Sequence, residues 1–122
     1  MYREELMDIY KNPTHKGTIT APSAQVRKKN PMCGDEVTMQ LKIENGKITD
    51  AKFDGFACFV SIVSSEVLLE SIRGLTIEEA RKVDKEKLLE MVGLNLTTSR
   101  VKCATLALTA LNAALDEYEK NR

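Results

Sequence analysis

The sequence lacks tryptophan, has one histidine and shows no excess of charge of either sign. Eighteen basic residues balance eighteen acidic ones, so no global positive field would attract nucleic acid or an anionic membrane. No stretch approaches the run of about 20 apolar residues that crosses a bilayer. The opening residues, MYREELMD, are too acidic for a signal or transit peptide. These features predict a single cytoplasmic domain, residues 1–122, with neither a membrane nor a nucleic-acid partner.

Cysteine is scarce and odd in number. The three thiols stand at Cys33, Cys58 and Cys103, without a CxxC pair. An odd count cannot be fully paired within one chain, and the absence of a secretion signal favours reduced thiols. The three residues are then either small buried hydrophobic side chains or ligands that converge in the fold.

The β-strand signal lies in the first half of the chain. Apolar and polar residues alternate strictly over 37–43, as expected for a half-buried strand. Asn45-Gly46 predicts a type I′ hairpin turn. In the return strand, 47–53, the apolar positions slip in phase, which indicates a β-bulge. The segment 25–30 predicts a further short strand or a basic edge.

Helical periodicity dominates the remainder of the chain, apart from a short helix over 2–10. Later helices are indicated by an apolar stripe ending at Gly74, a Thr76–Glu79 capping box, an Asp84 cap and a final segment over about 99–120. Strands followed by helices predict an α+β fold. We expect a small three-stranded antiparallel sheet packed on one face by a helical layer that includes two longer helices.

Each cysteine lies near the boundary of a predicted element. Cys33 is in a turn before the first clear strand, Cys58 precedes the long apolar helix, and Cys103 is in or near the first turn of the last helix. A helix N-terminus favours a thiolate, the form that binds metal, so Cys58 and Cys103 are expected to benefit.

Asp35 follows Cys33 by two residues and is a candidate fourth ligand. Three thiolates and one carboxylate suit tetrahedral zinc or the iron of an iron–sulfur cluster. A carboxylate is the harder and weaker partner for cluster iron, so such a site can release what it assembles. Alternatively, Asp35 is a turn residue that bonds its own backbone.

Several segments together resemble a known family. They are Asn30-Pro31-Met32-Cys33-Gly34-Asp35, Asp54-Gly55-Phe56-Ala57-Cys58 with Ser61, Ser64 and Ser65, Arg100-Val101-Lys102-Cys103-Ala104-Thr105-Leu106, and Asp8-Ile9-Tyr10-Lys11-Asn12-Pro13. In order and spacing they are similar to the motifs of the iron–sulfur cluster assembly scaffold proteins of the IscU/NifU/SufU type.

The resemblance implies a scaffold and not an enzyme. Such a protein accepts sulfur from a cysteine desulfurase, combines it with iron into a 2Fe-2S cluster and passes the cluster to apo-proteins. By position, Cys33, Cys58 and Cys103 are cluster ligands together with Asp35, and Cys103 is the candidate persulfide acceptor. Substitution of the family's aspartate tends to stabilise the bound cluster.

Two of the departures from the family pattern bear on the site and on partners. Lys102 stands where many members have a histidine, and a protonated ammonium cannot bind metal, so Lys102 is expected to act as an auxiliary cationic neighbour. The segment 96–100 lacks both prolines of the family's chaperone-recognition sequence, which argues against hand-off through an Hsp70-type chaperone.

Three other functions are weighed against the scaffold: zinc-bound sulfur transfer, thiol catalysis and nucleic-acid binding. A zinc-bound sulfur-transfer protein that activates a desulfurase would have identical ligands. A thiol enzyme would need His15, which is expected to be an exposed loop residue. The basic run 27–29 lacks interleaved aromatic residues and is expected to be solvated. Together with Arg100 and Lys102, that run is expected to offset the negative charge of a cluster.

Overall fold

The computed structural model of the protein describes residues 3–31, 34–93, 96 and 98–121. The elements follow in the order α1 (Arg3–Lys11), β1 (Ala24–Asn30), β2 (Asp35–Glu44), β3 (Lys47–Asp54), α2 (Phe59–Ile72), α3 (Ile77–Arg81), α4 (Lys85–Val92) and α5 (Thr98–Lys120). This arrangement confirms the α+β prediction, and α2 and α5 are the two longer helices.

The sheet has the strand order β1-β2-β3, and both pairings are antiparallel. Positive φ angles of 53° at Asn45 and 76° at Gly46 confirm the type I′ turn between β2 and β3. The register shifts beyond Lys42 and leaves Thr49 as the extra residue of β3. This shift confirms the bulge inferred from the broken alternation.

The core lies between the sheet and helices α2 and α5. Alternate side chains of β2, from Val37 to Ile43, face these helices and are at most 6% exposed. Asp35 is the first residue of the same alternating row, and it is itself buried. The strand therefore directs a carboxylate toward the helical layer at one end of the hydrophobic core.

The shorter helices begin and end as their sequences predict. Thr76 and Glu79 form a reciprocal capping box, and the side chain of Asp84 accepts a hydrogen bond from the backbone of Lys87. Gly93 ends α4 in the left-handed conformation. None of the helices described is both long and apolar enough to cross a membrane.

His15 is buried, so the expectation that it is exposed was wrong. Its ring is 2% exposed, with Nε2 2.7 Å from Oε2 of Glu70 and Nδ1 3.0 Å from the carbonyl oxygen of Ala51. The buried carboxylate of Glu66 accepts hydrogen bonds from the backbone N–H groups of Thr14 and His15. These contacts fasten the loop after α1 to α2 and β3.

The contact between His15 and Glu70 predicts a specific pH dependence. The hydrogen bond from His15 holds the pKa of Glu70 below its usual value of 4.5. The stabilisation from ionised Glu70 should therefore be present above about pH 4.5 and be lost as pH falls through the lower pKa of the folded state. Glu70→Gln should be less stable than the parent at pH 7, with a difference that shrinks in acid. Urea unfolding at several pH values measures this, and a pH-independent difference would contradict the assignment.

Candidate metal centre

Three candidate ligands converge at one end of the core. One oxygen of Asp35 and the sulfurs of Cys58 and Cys103 all lie within 4.8 Å of one another. Asp35 begins β2, Cys58 immediately precedes α2, and Cys103 is on α5, so the packing of three elements builds the group. Cys33 lies outside the described residues, and its expected place as third thiolate stays a prediction.

Cys58 occupies the N-cap position of α2. Its backbone N–H donates a hydrogen bond of 3.1 Å to Oδ1 of Asp35. The Cys58 thiol lies at the positive end of the α2 dipole. The Asp35 carboxylate is hydrogen-bonded to the backbone at the same helix end. The expectation of a helix N-terminal environment is thus met for Cys58.

For Cys103 the same expectation was wrong. α5 begins at Thr98, which places Cys103 in the second turn, beyond the unpaired N–H groups of the helix end. The residue is 1% exposed and belongs to a small apolar cluster with Val60 and Ala104. Cys103 is therefore buried between this apolar cluster and the side chains of Asp35 and Cys58, away from the helix end.

Ser61 lies at the centre of the group, although the sequence marked it only as part of a motif. Its Oγ is 2.6 Å from Oδ2 of Asp35, 2.9 Å from the carbonyl oxygen of Cys103 and 3.7 Å from Sγ of Cys58. The available signal was a polar residue one turn after Cys58, on a helix that carries several other polar residues. That spacing alone does not identify its partners on β2 and α5.

The segment before Cys58 approaches β2 through a glycine. Gly55 has a φ of 124°, and a Cβ placed there would lie 2.2 Å from the backbone oxygen of Glu36. Close by, the N–H of Glu36 donates a 2.7 Å hydrogen bond to the carbonyl of Phe56. Only glycine permits this close approach, which holds Cys58 beside Asp35.

Gly55→Ala should therefore destabilise the fold by about 3 kcal/mol and displace Cys58 from Asp35. Gly17→Ala is the matched control, because Gly17 also has a positive φ, 143°, but a Cβ at Gly17 would meet nothing within 4 Å. Chemical denaturation and metal affinity measure the two effects. Equal losses in the two variants would show that strain alone, and not the contact with β2, is responsible.

The basic run 27–29 was expected to offset the charge of a cluster, but it does not lie beside Cys58 and Cys103. Arg27 and Lys29 form ion pairs of 3.2 and 3.6 Å with Glu36. Glu36 alternates with Asp35 along β2 and so lies on the opposite face of the sheet. Lys28 lines a groove with the C-terminal part of α5, far along that helix from Cys103. Charge compensation by Lys102, which is exposed on α5 beside Cys103, stays a prediction.

The two phenylalanines that flank Cys58 have different surroundings. Phe56 is 84% exposed, and Phe59 is half-buried against Tyr10 with ring centroids 5.2 Å apart. Phe59 therefore packs both against α1 and against the apolar cluster that contains Cys103. In this structure Phe56 does not shield the thiols from water.

The donor set fits a thiophilic metal. In a tetrahedral zinc site with Zn–S bonds of about 2.3 Å, neighbouring sulfurs are about 3.8 Å apart. The spacing of at most 4.8 Å among Asp35, Cys58 and Cys103 needs only a small contraction to reach that geometry. Two thiolates and a carboxylate are ligands that zinc and cluster iron both accept.

The fold and this centre define a small α+β protein in which two cysteines and a carboxylate form a candidate metal site. A family model for the NifU-like N-terminal domain matches residues 1–122. The chain belongs to this family, which confirms the resemblance inferred from its motifs.

Individual relatives agree over almost the whole chain. The chain is 34% identical over 118 residues to iron-sulfur cluster assembly scaffold protein IscU 1 of Archaeoglobus fulgidus, covering 97% of this chain and 76% of the relative. It is 31% identical over 136 residues to the zinc-dependent sulfurtransferase SufU of Bacillus subtilis, covering 98% and 92%. A crystal structure from Fervidobacterium islandicum AW-1, described as a putative cluster assembly scaffold protein for the SUF system, matches with a TM-score of 0.80 and 31% identity, covering 93% and 96%.

Proposed function

We propose that this protein is a scaffold on which an iron–sulfur cluster is assembled before transfer to apo-proteins. The observation that carries the proposal is the convergence of the donor atoms of Asp35, Cys58 and Cys103 within 4.8 Å. Relatives named as cluster assembly scaffolds support the same function. Residues 1–122 are proposed to act as a single domain.

The proposed cargo is a 2Fe-2S cluster held by Cys33, Cys58, Cys103 and Asp35. Thiolates bind cluster iron firmly, and the carboxylate contributes a harder ligand that an incoming thiolate can displace. Asp35 also keeps two hydrogen-bond donors whether or not it binds iron, the N–H of Cys58 and the hydroxyl of Ser61. The carboxylate can thus leave iron without becoming an unpaired buried charge.

The proposed partners are a cysteine desulfurase that supplies sulfur and apo-proteins that receive the cluster. Cys103 is the proposed persulfide acceptor, and Lys102 its auxiliary cationic neighbour. The role is that of a carrier and not of an enzyme, and the proposed location is the cytoplasm. Hand-off through an Hsp70-type chaperone is not proposed, because the segment 96–100 lacks the prolines of the family's recognition sequence. Part of this segment lies outside the described residues.

A zinc-bound sulfur-transfer protein is the second candidate. The SufU relative from Bacillus subtilis, named a zinc-dependent sulfurtransferase, favours this alternative, as does the fit of the donor set to tetrahedral zinc. In that case the same cysteines would hold zinc, and a cysteine would accept sulfur without building a cluster.

Cluster transfer separates these candidates. Zinc-free protein is supplied anaerobically with ferrous iron, cysteine, a thiol reductant that converts persulfide sulfur to sulfide, and a cysteine desulfurase, then separated from small molecules and mixed with an apo-ferredoxin. The scaffold function predicts that the ferredoxin gains its visible absorption and that a Cys58→Ser scaffold, which lacks one ligand, transfers little. If the parent and Cys58→Ser proteins support equal transfer, the iron is not carried at this centre and the proposal fails.

A further inference from the structure

We infer that Ser61 is a positioning residue that fixes the orientation of the Asp35 carboxylate for metal binding. The inference rests on the proposed metal site, and it assigns a role to a residue that does not itself bind the metal. Ser61 is completely buried. Its hydroxyl connects the three elements that carry Asp35, Cys58 and Cys103.

The geometry makes Asp35 the main partner of this hydroxyl. Ser61 Oγ lies 2.6 Å from the carboxylate oxygen of Asp35 and 2.9 Å from the carbonyl oxygen of Cys103. A hydroxyl has a single proton, so it donates to one of these oxygens at a time. The charged carboxylate is the stronger acceptor at the shorter distance. Ser61 can keep this hydrogen bond while Asp35 binds a metal, because an ionised carboxylate has further lone pairs available.

Asp35 is held at both of its oxygens. Oδ1 accepts from the backbone N–H of Cys58, and Oδ2 accepts from Ser61. The first bond fixes the position of one oxygen, and the second prevents rotation of the carboxylate about it. Partners that orient a metal-binding carboxylate in this way commonly contribute about 10–100-fold to metal affinity.

The test is zinc affinity, measured by competition with a chromophoric chelator. Ser61→Ala is expected to bind Zn²⁺ about tenfold more weakly than the parent. Ser64→Ala is the matched control: Ser64 is equally buried, lies one turn further along α2, and its hydroxyl has no hydrogen-bond partner among the described residues. Ser64→Ala should therefore leave zinc affinity unchanged, and urea unfolding of both apo-proteins checks that they are folded.

A double-mutant cycle identifies the route of the effect. If Ser61 acts through Asp35, Ser61→Ala should cause no further loss in an Asp35→Ala background. A full tenfold loss in that background, or no loss in the parent, would overturn the inference. Absence of zinc binding by the parent protein would instead refute the metal site itself, so the two failures are distinguishable.

Discussion

Cys103→Ser should abolish sulfur uptake from the desulfurase. In the proposed step, the Cys103 thiolate attacks the outer sulfur of the desulfurase persulfide. A new S–S bond forms on Cys103, and the desulfurase cysteine leaves as a thiolate. A serine hydroxyl is not a nucleophile of this kind at neutral pH. Mass spectrometry of the protein after anaerobic turnover, without iron, should show no added sulfur on the variant.

The burial of Cys103 imposes a condition on this step. With 1% of the residue exposed, the thiol meets the donor only after a local opening of the side chains packed around it. Cys58→Ser is the matched control, since it removes a partly exposed thiol from the same centre. It should retain the added sulfur. Full labelling of Cys103→Ser, with loss of labelling in Cys58→Ser, would assign sulfur acceptance to Cys58.

Asp35→Ala should lengthen the lifetime of the bound cluster by about tenfold, because it removes a negative charge close to an anionic cluster. Asp35 adds a negative charge to a buried, thiolate-rich centre. Alanine removes this charge, so the centre repels the anionic cluster less and retains it longer. The decay of visible absorption under excess chelator measures the lifetime.

The substitution also has a cost for folding, which the experiment must separate from lifetime. The N–H of Cys58 loses its acceptor, and such a loss typically costs about 1–3 kcal/mol. Lifetimes should therefore be compared well below the unfolding temperatures. Asp35→Asn keeps an oxygen acceptor for this N–H but removes the charge, and it should also lengthen the lifetime. Faster decay in both variants would mean that Asp35 retains the cluster.

The parts of the fold that depend on neighbours in sequence were predictable. The turn at Asn45 and Gly46, the capping box of α3 and the end of α4 at Gly93 are each determined within a few residues. The bulge in β3 was also visible, because one extra residue changes the alternation of side chains.

Contacts between residues far apart in sequence, in the centre and elsewhere, were not predictable from periodicity. Ser61 meets a backbone carbonyl 42 residues away, and His15 meets a carboxylate 55 residues away. Ser61 lies on a helix with several other polar residues and His15 in a polar loop, and neither segment indicates the distant partner. Likewise, the basic run 27–29 is adjacent in sequence to the Cys33 motif, but strand alternation turns Glu36 and its ion-pair partners to the other face.

The most direct test of the central claim is the metal and sulfide content after anaerobic reconstitution. Zinc-free protein is incubated with ferrous iron and sulfide, desalted, and analysed for iron, acid-labile sulfide and visible absorption. The scaffold function predicts equal amounts of iron and sulfide and a visible chromophore that a chelator removes. A colourless protein that takes up stoichiometric zinc, but no iron and sulfide, would contradict the scaffold function and favour zinc-dependent sulfur transfer.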